Sequence, residues 1–297
     1  MKTTLTPAPA RALLTFFLRG MIASADLKQT AAGKAVGLSR AGFGAVINGR
    51  NLPSDEALVI LTEKCGHARL LPTMRFLVSV ARLSDHPDGT APVRTKDDLN
   101  LSLGLEAFAS GIELFNYSRV PGLMQSEAYA RQQLGADAYV AAPKDLDEKL
   151  DGLVSTWMDR QRILTRNTDG EHDSTELWVI IDELALRNPV GGSAVMRQQL
   201  DYLCERDEEL PNVTLQVLSP AVHPAVGQAF QVIIMDDHTR VAVDETLTTT
   251  YHYTQFEQAR DLAMYMRTFN NLRGLAVPAG SKTRDRIQQI KKELYGS

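Results

Sequence analysis

The chain has 297 residues, 44% hydrophobic and 23% charged, with a formal net charge of −4. That length exceeds one typical domain, and the balance is ordinary for a soluble globular protein of two domains. The two cysteines, Cys65 and Cys204, are far apart and lack metal-ligand spacing, which excludes a disulfide scaffold and points to a reducing compartment. No apolar run approaches the length needed to span a bilayer. The early apolar segment is broken by Arg19 and lacks a small-residue cleavage pattern, so it reads as a helix and not as a signal peptide. A cytoplasmic location is expected.

In chain order, Leu13, Leu14, Phe17, Leu18, Met21 and Ile22 recur at helical spacing and predict a first amphipathic helix. Asp26 is the expected N-cap of a second helix, Leu27 to Val36, which Gly37 ends by taking the left-handed conformation. Ser39 is the expected cap of a third, Arg40 to Asn48, with Phe43, Val46 and Ile47 toward the core and Arg40, Ala41, Gly44 and Ala45 nearer the outside. Asn48-Gly49 closes it, and Arg50-Asn51 follow in a loop. Pro53-Ser54-Asp55-Glu56 starts a fourth helix with Leu58, Leu61 and Thr62 on one side, and Leu70 to Leu83 predicts a fifth carrying Leu71, Met74, Leu77, Val78 and Ala81. This fifth helix could brace the unit or pair with its copy in a dimer. The spacing from Leu27 to Cys65 is that of a helix-turn-helix and its packing helix, a way of presenting one helix to the DNA major groove.

The run GLSRAGFGAVINGRNLPSDEALVILTEKCG resembles the XRE/Cro-type helix-turn-helix. The resemblance implies that the third helix enters the groove, placing Arg40, Ala41, Gly42 and Ala45 toward the bases and Gln29 and Thr30 toward phosphates. Two departures stand out. Gly42 and Gly44 each cost about 1 kcal/mol against Ala in a helix interior and present no side chain to a base edge. Ile47 stands where the family usually carries a polar residue. Reading is therefore expected to rest mainly on Arg40, helped by Asn48, Arg50 and Asn51, with Lys28, Lys34 and Arg50 on phosphates and Ser39 at the helix start. Residues 1–85 carry a net charge of +6 and the remainder −10, which puts the attraction for phosphates where the motif lies.

A turn-rich segment, Ser84 to Pro92, places the domain boundary: residues 1–84 form the helical unit, 85–98 a linker and 99–297 a second domain. There, Asn100 to Ile112 predicts a helix and Glu113-Leu-Phe-Asn-Tyr a short strand, followed by helices over Ser126 to Leu134 and Leu146 to Thr165. The last of these carries Arg160, Gln161, Arg162 and Arg166 as a solvated or salt-bridged basic face. Glu176 to Asp182 and Val213 to Leu218 read as strands joined by a helix, Ser193 to Arg206, capped at Ser193, an order that favours a parallel crossover. Phe230 to Met235 and Arg240 to Asp244 predict a hairpin around Asp236-Asp237-His238, and helices Tyr253 to Leu272 and Thr283 to Leu294 finish the chain. The expected fold is an all-α N-terminal helix-turn-helix domain followed by a mixed α/β C-terminal domain.

Five ordered segments, VPGLMQSEAYAR, WMDRQRILTR, VIIDELALRNPVGG, MRQQLDYL and VTLQVLSPAVHPAVGQAF, are similar to the large C-terminal domain of actinobacterial XRE-type regulators. Together with the first resemblance this implies a transcriptional regulator, often acting in development or secondary metabolism beside a small partner protein encoded nearby. It implies no chemistry for the C-terminal domain.

The residues themselves point to no assembled nucleophile and base. The six histidines lack metal-ligand spacing, and a Walker loop, a GxGxxG run and a Gly-x-Ser-x-Gly elbow are missing. A phospholipase-D-like strand order lacks its His-x-Lys signature, since His223 is followed by Pro224 and Ala225. Gly191-Gly192-Ser193 reads first as a turn before a helix cap and second as a phosphate cradle. Asp182, Glu183 and Arg187 lie near the expected end of a strand, where α/β folds place ligands, and with Arg160 they are the candidates for an effector site, against a local salt bridge as the plainer reading. The expectation is a non-enzymatic, cofactor-free homodimer on double-stranded DNA. Two recognition helices about 34 Å apart would lie in successive major grooves, and a C-terminal domain sensing a small molecule or a partner protein would bias their spacing. Two other classes stay open: a degenerate helix-turn-helix serving as a protein-interaction module, and a small-molecule enzyme built on the C-terminal domain.

Overall fold

The structure, a computed structural model, describes residues 4–5, 7–82, 91–92, 104–141, 146–165, 174–219, 221, 228–235, 240–245, 251–254 and 259–296. The chain divides into two compact units, residues 1–108 with 245–257 and residues 109–244 with 258–297. Helices dominate the first, and an α/β arrangement the second.

The first unit is built on α1 (Pro7–Ser24), α2 (Gln29–Ala35), α3 (Arg40–Ile47), α4 (Asp55–Lys64) and α5 (Leu71–Ala81). The helical periodicity of α1 becomes its buried stripe, for Leu13, Leu14, Phe17, Leu18, Met21 and Ile22 all leave solvent. Each such side chain contributes about 2 kcal/mol of transfer free energy on burial. Met74, Leu77, Val78 and Ala81 of α5 and Leu58 and Leu61 of α4 are buried with them, and Leu71 is half-buried.

The first four helices stop in one way. Asp26, Gly37, Gly49 and Gly66 take φ of 44°, 70°, 70° and 73°. In each case the next residue's N–H bonds to a carbonyl five positions back: Leu27 to Ile22, Leu38 to Gly33, Arg50 to Ala45 and His67 to Thr62, at 2.7–3.0 Å. This is the Schellman ending, which satisfies carbonyls the helix itself leaves open. It corrects the expected role of Asp26. The left-handed conformation, which Asp tolerates better than most residues, makes Asp26 the stop of α1, while α2 begins after Lys28 with no side-chain cap.

The second unit is a mixed sheet: β1 (Gly111–Asn116), β2 (Glu176–Asp182), β3 (Val213–Leu218), β4 (Phe230–Ile234) and β5 (Arg240–Glu245), in spatial order β3-β2-β1-β4-β5. β1, β2 and β3 are parallel, with Leu114 opposite Val179 and Val179 opposite Leu215, and β4 and β5 run antiparallel. Parallel neighbours need long crossovers. These are α6 (Glu127–Ala141) with α7 (Leu146–Arg160), and α8 (Glu183–Arg187) with α9 (Ser193–Glu209). Near-continuous apolar runs such as Val179-Ile180-Ile181, all fully buried, suit strands covered on both faces. α10 (Ala259–Leu275) packs Phe269 and Leu272 on Phe115, Ile180, Phe230 and Val232, and α11 (Ser281–Tyr295) buries Ile287, Ile290 and Tyr295.

The edge strand β3 is covered. Along β3 the N–H of Leu215 bonds to Asp207 Oδ1 at 3.2 Å, and the carbonyl of Val217 accepts from Val277 N at 2.9 Å.

Four further expectations are corrected. The helix over Asn100 to Ile112 is helical only at 104–107 among its described residues, because Ser110 N bonds to Ile234 O and residues from Gly111 on are drawn into the central strand. Leu146 to Thr165 is α-helical only to Arg160 and tightens to a 3₁₀ turn over Gln161–Leu164. Ser193 is not the cap of α9: Gly192, at φ 83°, holds that position, with no side-chain bond to the helix. Tyr253 lies in an extended segment, Tyr251–Thr254, as its Thr- and Tyr-rich surroundings favour, so α10 starts at Ala259. Most of the linker, Arg166, and the hairpin turn at Asp236–His238 lie outside the described residues.

Candidate nucleic-acid interface

The unit of interest is α2, a turn and α3. Gly33 of α2 faces α3 so closely that an added Cβ would lie 3.0 Å from Phe43 Cβ, so its missing side chain lets the helices approach. Phe43, Val46 and Ile47 form the buried side of α3. Ile47, the departure from the resembled motif, is 4% exposed and belongs to the core. Ser39 caps α3 by accepting from Gly42 N at 3.1 Å, and Ser54 caps α4 by accepting from Ala57 N at the same distance.

What remains outside is the candidate reading set. Lys28, Gln29, Thr30, Lys34, Ser39, Arg40, Ala41, Asn48, Arg50 and Asn51 are exposed, and Gly42 and Ala45 are half-exposed. An added Cβ at Gly44 would meet nothing within 4 Å. Asn48 differs from the others because its side chain is already engaged. Its Nδ2 donates to Gly44 O at 2.7 Å, and its Oδ1 accepts from Arg19 at 2.7 Å.

Arginines that composition alone would assign to phosphates also serve the fold. Arg19 Nε donates to Ile47 O at 3.0 Å, and Arg11 donates to Gly49 O and Ala81 O at 3.3 and 3.2 Å. Arg75 forms a bidentate pair with Asp55 at 2.6 and 2.7 Å, which raises the guanidinium pKa and holds the Asp55 carboxyl below its usual range. No periodicity marks Arg19 as a partner of the end of α3 or Arg11 as a partner of Gly49 and Ala81, since these acceptor carbonyls lie far along the chain.

The candidate effector residues fall into separate settings. Asp182 ends β2 and caps α8, its Oδ1 accepting from Leu184 N at 2.8 Å. Glu183, with a side chain 3% exposed, accepts from Arg187 at 2.7 Å and from Arg286 of α11 at 2.7–2.9 Å, and Arg187 also reaches Glu293 at 2.9 Å. The Glu183 hydrogen bond raises the Arg187 pKa. Arg160 instead lies over the Trp157 ring, 4.9 Å from its centroid, beside Gly122.

A buried glutamine network, which has no sequence periodicity, pins the loop before α6. Gln125 Nε2 donates to Val120 O and Gln133 Oε1, and its Oε1 accepts from Trp157 Nε1. Gln161 donates to Gly122 O and Gln125 O while accepting from Tyr202, and Gln199 joins Met124 O to Ser126 N. Buried amides with both ends bonded fix a backbone without leaving a desolvated polar group.

Burial pushes the Cys65 and Cys204 thiols up, away from the thiolate form a nucleophile needs. Among the described residues, no three His, Cys, Asp or Glu side chains gather as they would around a metal ion, and no helix is long and apolar enough to cross a membrane.

These features define a helical unit joined in one chain to a mixed α/β domain. The family model described as "Domain of unknown function (DUF5753)" matches residues 99–289, and the chain belongs to that family. The segment of α2, turn and α3 lies outside the matched residues. No curated protein and no solved structure matches the chain.

Proposed function

We propose that the chain is a sequence-specific double-stranded-DNA-binding transcriptional regulator of the XRE/Cro type, whose second domain senses a small molecule or a partner protein. The observation that carries this reading is the exposure of Lys28, Gln29, Thr30, Lys34, Ser39, Arg40 and Arg50 around a capped α3 whose other side is buried. Cationic and hydroxyl groups at the starts of two helices suit phosphates, and an exposed arginine at the first position of α3 suits the O6/N7 edge of guanine. In the same reading the protein acts as a homodimer, and the second domain changes the spacing of two α3 helices.

Electrophoretic mobility shifts of the full chain with a random-sequence duplex pool, at several salt concentrations, test the reading. Retardation that weakens steeply with salt and enriches one sequence is the expected result. Absence of any retarded duplex in dilute buffer would reject it. The glycines at 42 and 44 and the engaged Asn48 favour a second reading, a protein-interaction module, which that negative outcome would bring forward.

A further inference from the structure

The end of α3 is unusually well accounted for. A helix leaves its last four carbonyls without intrahelical partners. In α3, Gly44 O accepts from the backbone and side chain of Asn48, Ala45 O from Arg50 N and Asn51 N, and Val46 O from Gly49 N. The Schellman ending leaves Ile47 O, and Arg19 Nε of α1 takes it at 3.0 Å, while the same guanidinium donates to Asn48 Oδ1 at 2.7 Å. About two turns further back along α1, Arg11 donates to Gly49 O and, with its other terminal nitrogen, to Ala81 O at the end of α5. Two guanidinium groups thus sit at the negative end of the α3 dipole, where cations are favoured.

From this geometry we infer that Arg19, seconded by Arg11, is a positioning residue for α3: it sets the pose of the helix against α1 and spends Asn48 on that link. The inference rests on the DNA-binding reading and adds to it which residues aim Arg40. A guanidinium fork is required, because one side chain must reach a carbonyl and an amide oxygen together, and a lysine ammonium lacks that fixed geometry. The rival role for Arg19 is a phosphate contact, which needs only charge.

The two roles separate in one set of measurements on the full chain, with thermal melting to verify folding. Binding is compared on a duplex enriched by the wild type from a random pool and on a scrambled duplex, across a salt series. Positioning requires that Arg19→Ala and Arg19→Lys both lower the specific-to-scrambled affinity ratio, by about tenfold, as when one base contact is lost, with an unchanged salt slope. Asn48→Ala leaves every charge in place and is expected to lower the ratio likewise, with the Arg19→Ala/Asn48→Ala pair no worse than either alone. A wild-type ratio in Arg19→Lys, with a salt slope shallower by about 0.9 in Arg19→Ala, would overturn the inference in favour of a phosphate contact. An unchanged ratio in all variants would overturn it as well. A wild type that binds no duplex would remove the DNA-binding reading and this inference together, an outcome plainly different from the other two.

Discussion

The carboxylate of Glu183, at the start of α8, grips the guanidinium of Arg286 on α11 through contacts of 2.7, 2.8 and 2.9 Å. The glutamate side chain is 3% exposed and the arginine side chain 27%. A carboxylate removed from water this far is tolerable only because two arginines, 187 and 286, face it. The pairing therefore ties the C-terminal helix to the end of β2.

Removing that carboxylate leaves Arg286 without its ionic partner and Arg187 with Glu293 in place of two carboxylates. Glu183→Gln is expected to lower stability by about 2–3 kcal/mol, at or just below the low end of the range for breaking a buried pair, because both arginines keep some water. Urea denaturation, followed by the fluorescence of Trp178 and Trp157, would show it as a lower midpoint. An unchanged midpoint would mean that the pair adds nothing to the attachment of α11.

Glu113, half-buried in the central strand β1, has its pKa raised by burial against the opposing pull of Arg240 and Arg273. A raised carboxyl pKa means the folded state binds the proton more readily than the unfolded one, so stability falls as pH rises from the ordinary carboxylate value through the raised one. Glu113→Gln is expected to melt higher than wild type at pH 7, with the difference closing as the pH drops below the normal glutamate range. Melting curves from pH 3 to 7 test the sign.

Two glycines five residues apart should respond in opposite directions. Gly44, in the interior of α3 with open space where a Cβ would stand, is expected to gain about 1 kcal/mol on Gly44→Ala. Gly49 takes φ 70°, and its Cβ would lie 2.8 Å from Thr15 Oγ1, so Gly49→Ala is expected to cost about 1–2 kcal/mol from the left-handed conformation, with the close contact adding to it. Chemical denaturation of the two variants side by side provides the check.

On DNA, Arg40→Ala is expected to cost about 1–3 kcal/mol on the enriched duplex and to relax the preference at one base position. Lys28→Ala should weaken all duplexes alike with a shallower salt dependence. Footprints and salt-dependent titrations distinguish the two patterns, and an unchanged footprint for Arg40→Ala would count against its reading role.

The helical core of the first unit was legible because its information is local: apolar residues three and four apart, and a glycine where the chain must turn left-handed. The six buried residues of α1 follow from that pattern, and the cap Ser39 from its residue type ahead of a helix. Asp26 misled because the same residue type serves as an N-cap and as a left-handed stop, and only the bonds to Ala23 and Ile22 decide between them. The segment before β1 misled for a different reason, since a helical apolar pattern gave way to pairing with a strand more than a hundred residues later. The polar cluster at the end of β2 was visible as a local group in Asp182, Glu183 and Arg187, but its partner Arg286 was not.

By itself the sequence determined that the first unit is a set of amphipathic helices, which of their faces are apolar, that β2 and β3 enclose a crossover helix, and that basic charge gathers in the first 85 residues. Tertiary structure alone decided how that charge is used. Arg19 and Arg11 turn to carbonyls 28 and 38 residues away, Asn48 is held between α1 and its own helix, and Glu183 meets an arginine 103 residues on. The reason is physical: helix and turn preferences are set by neighbours within a few residues, whereas a hydrogen bond to a distant carbonyl exists only once packing has brought both groups together.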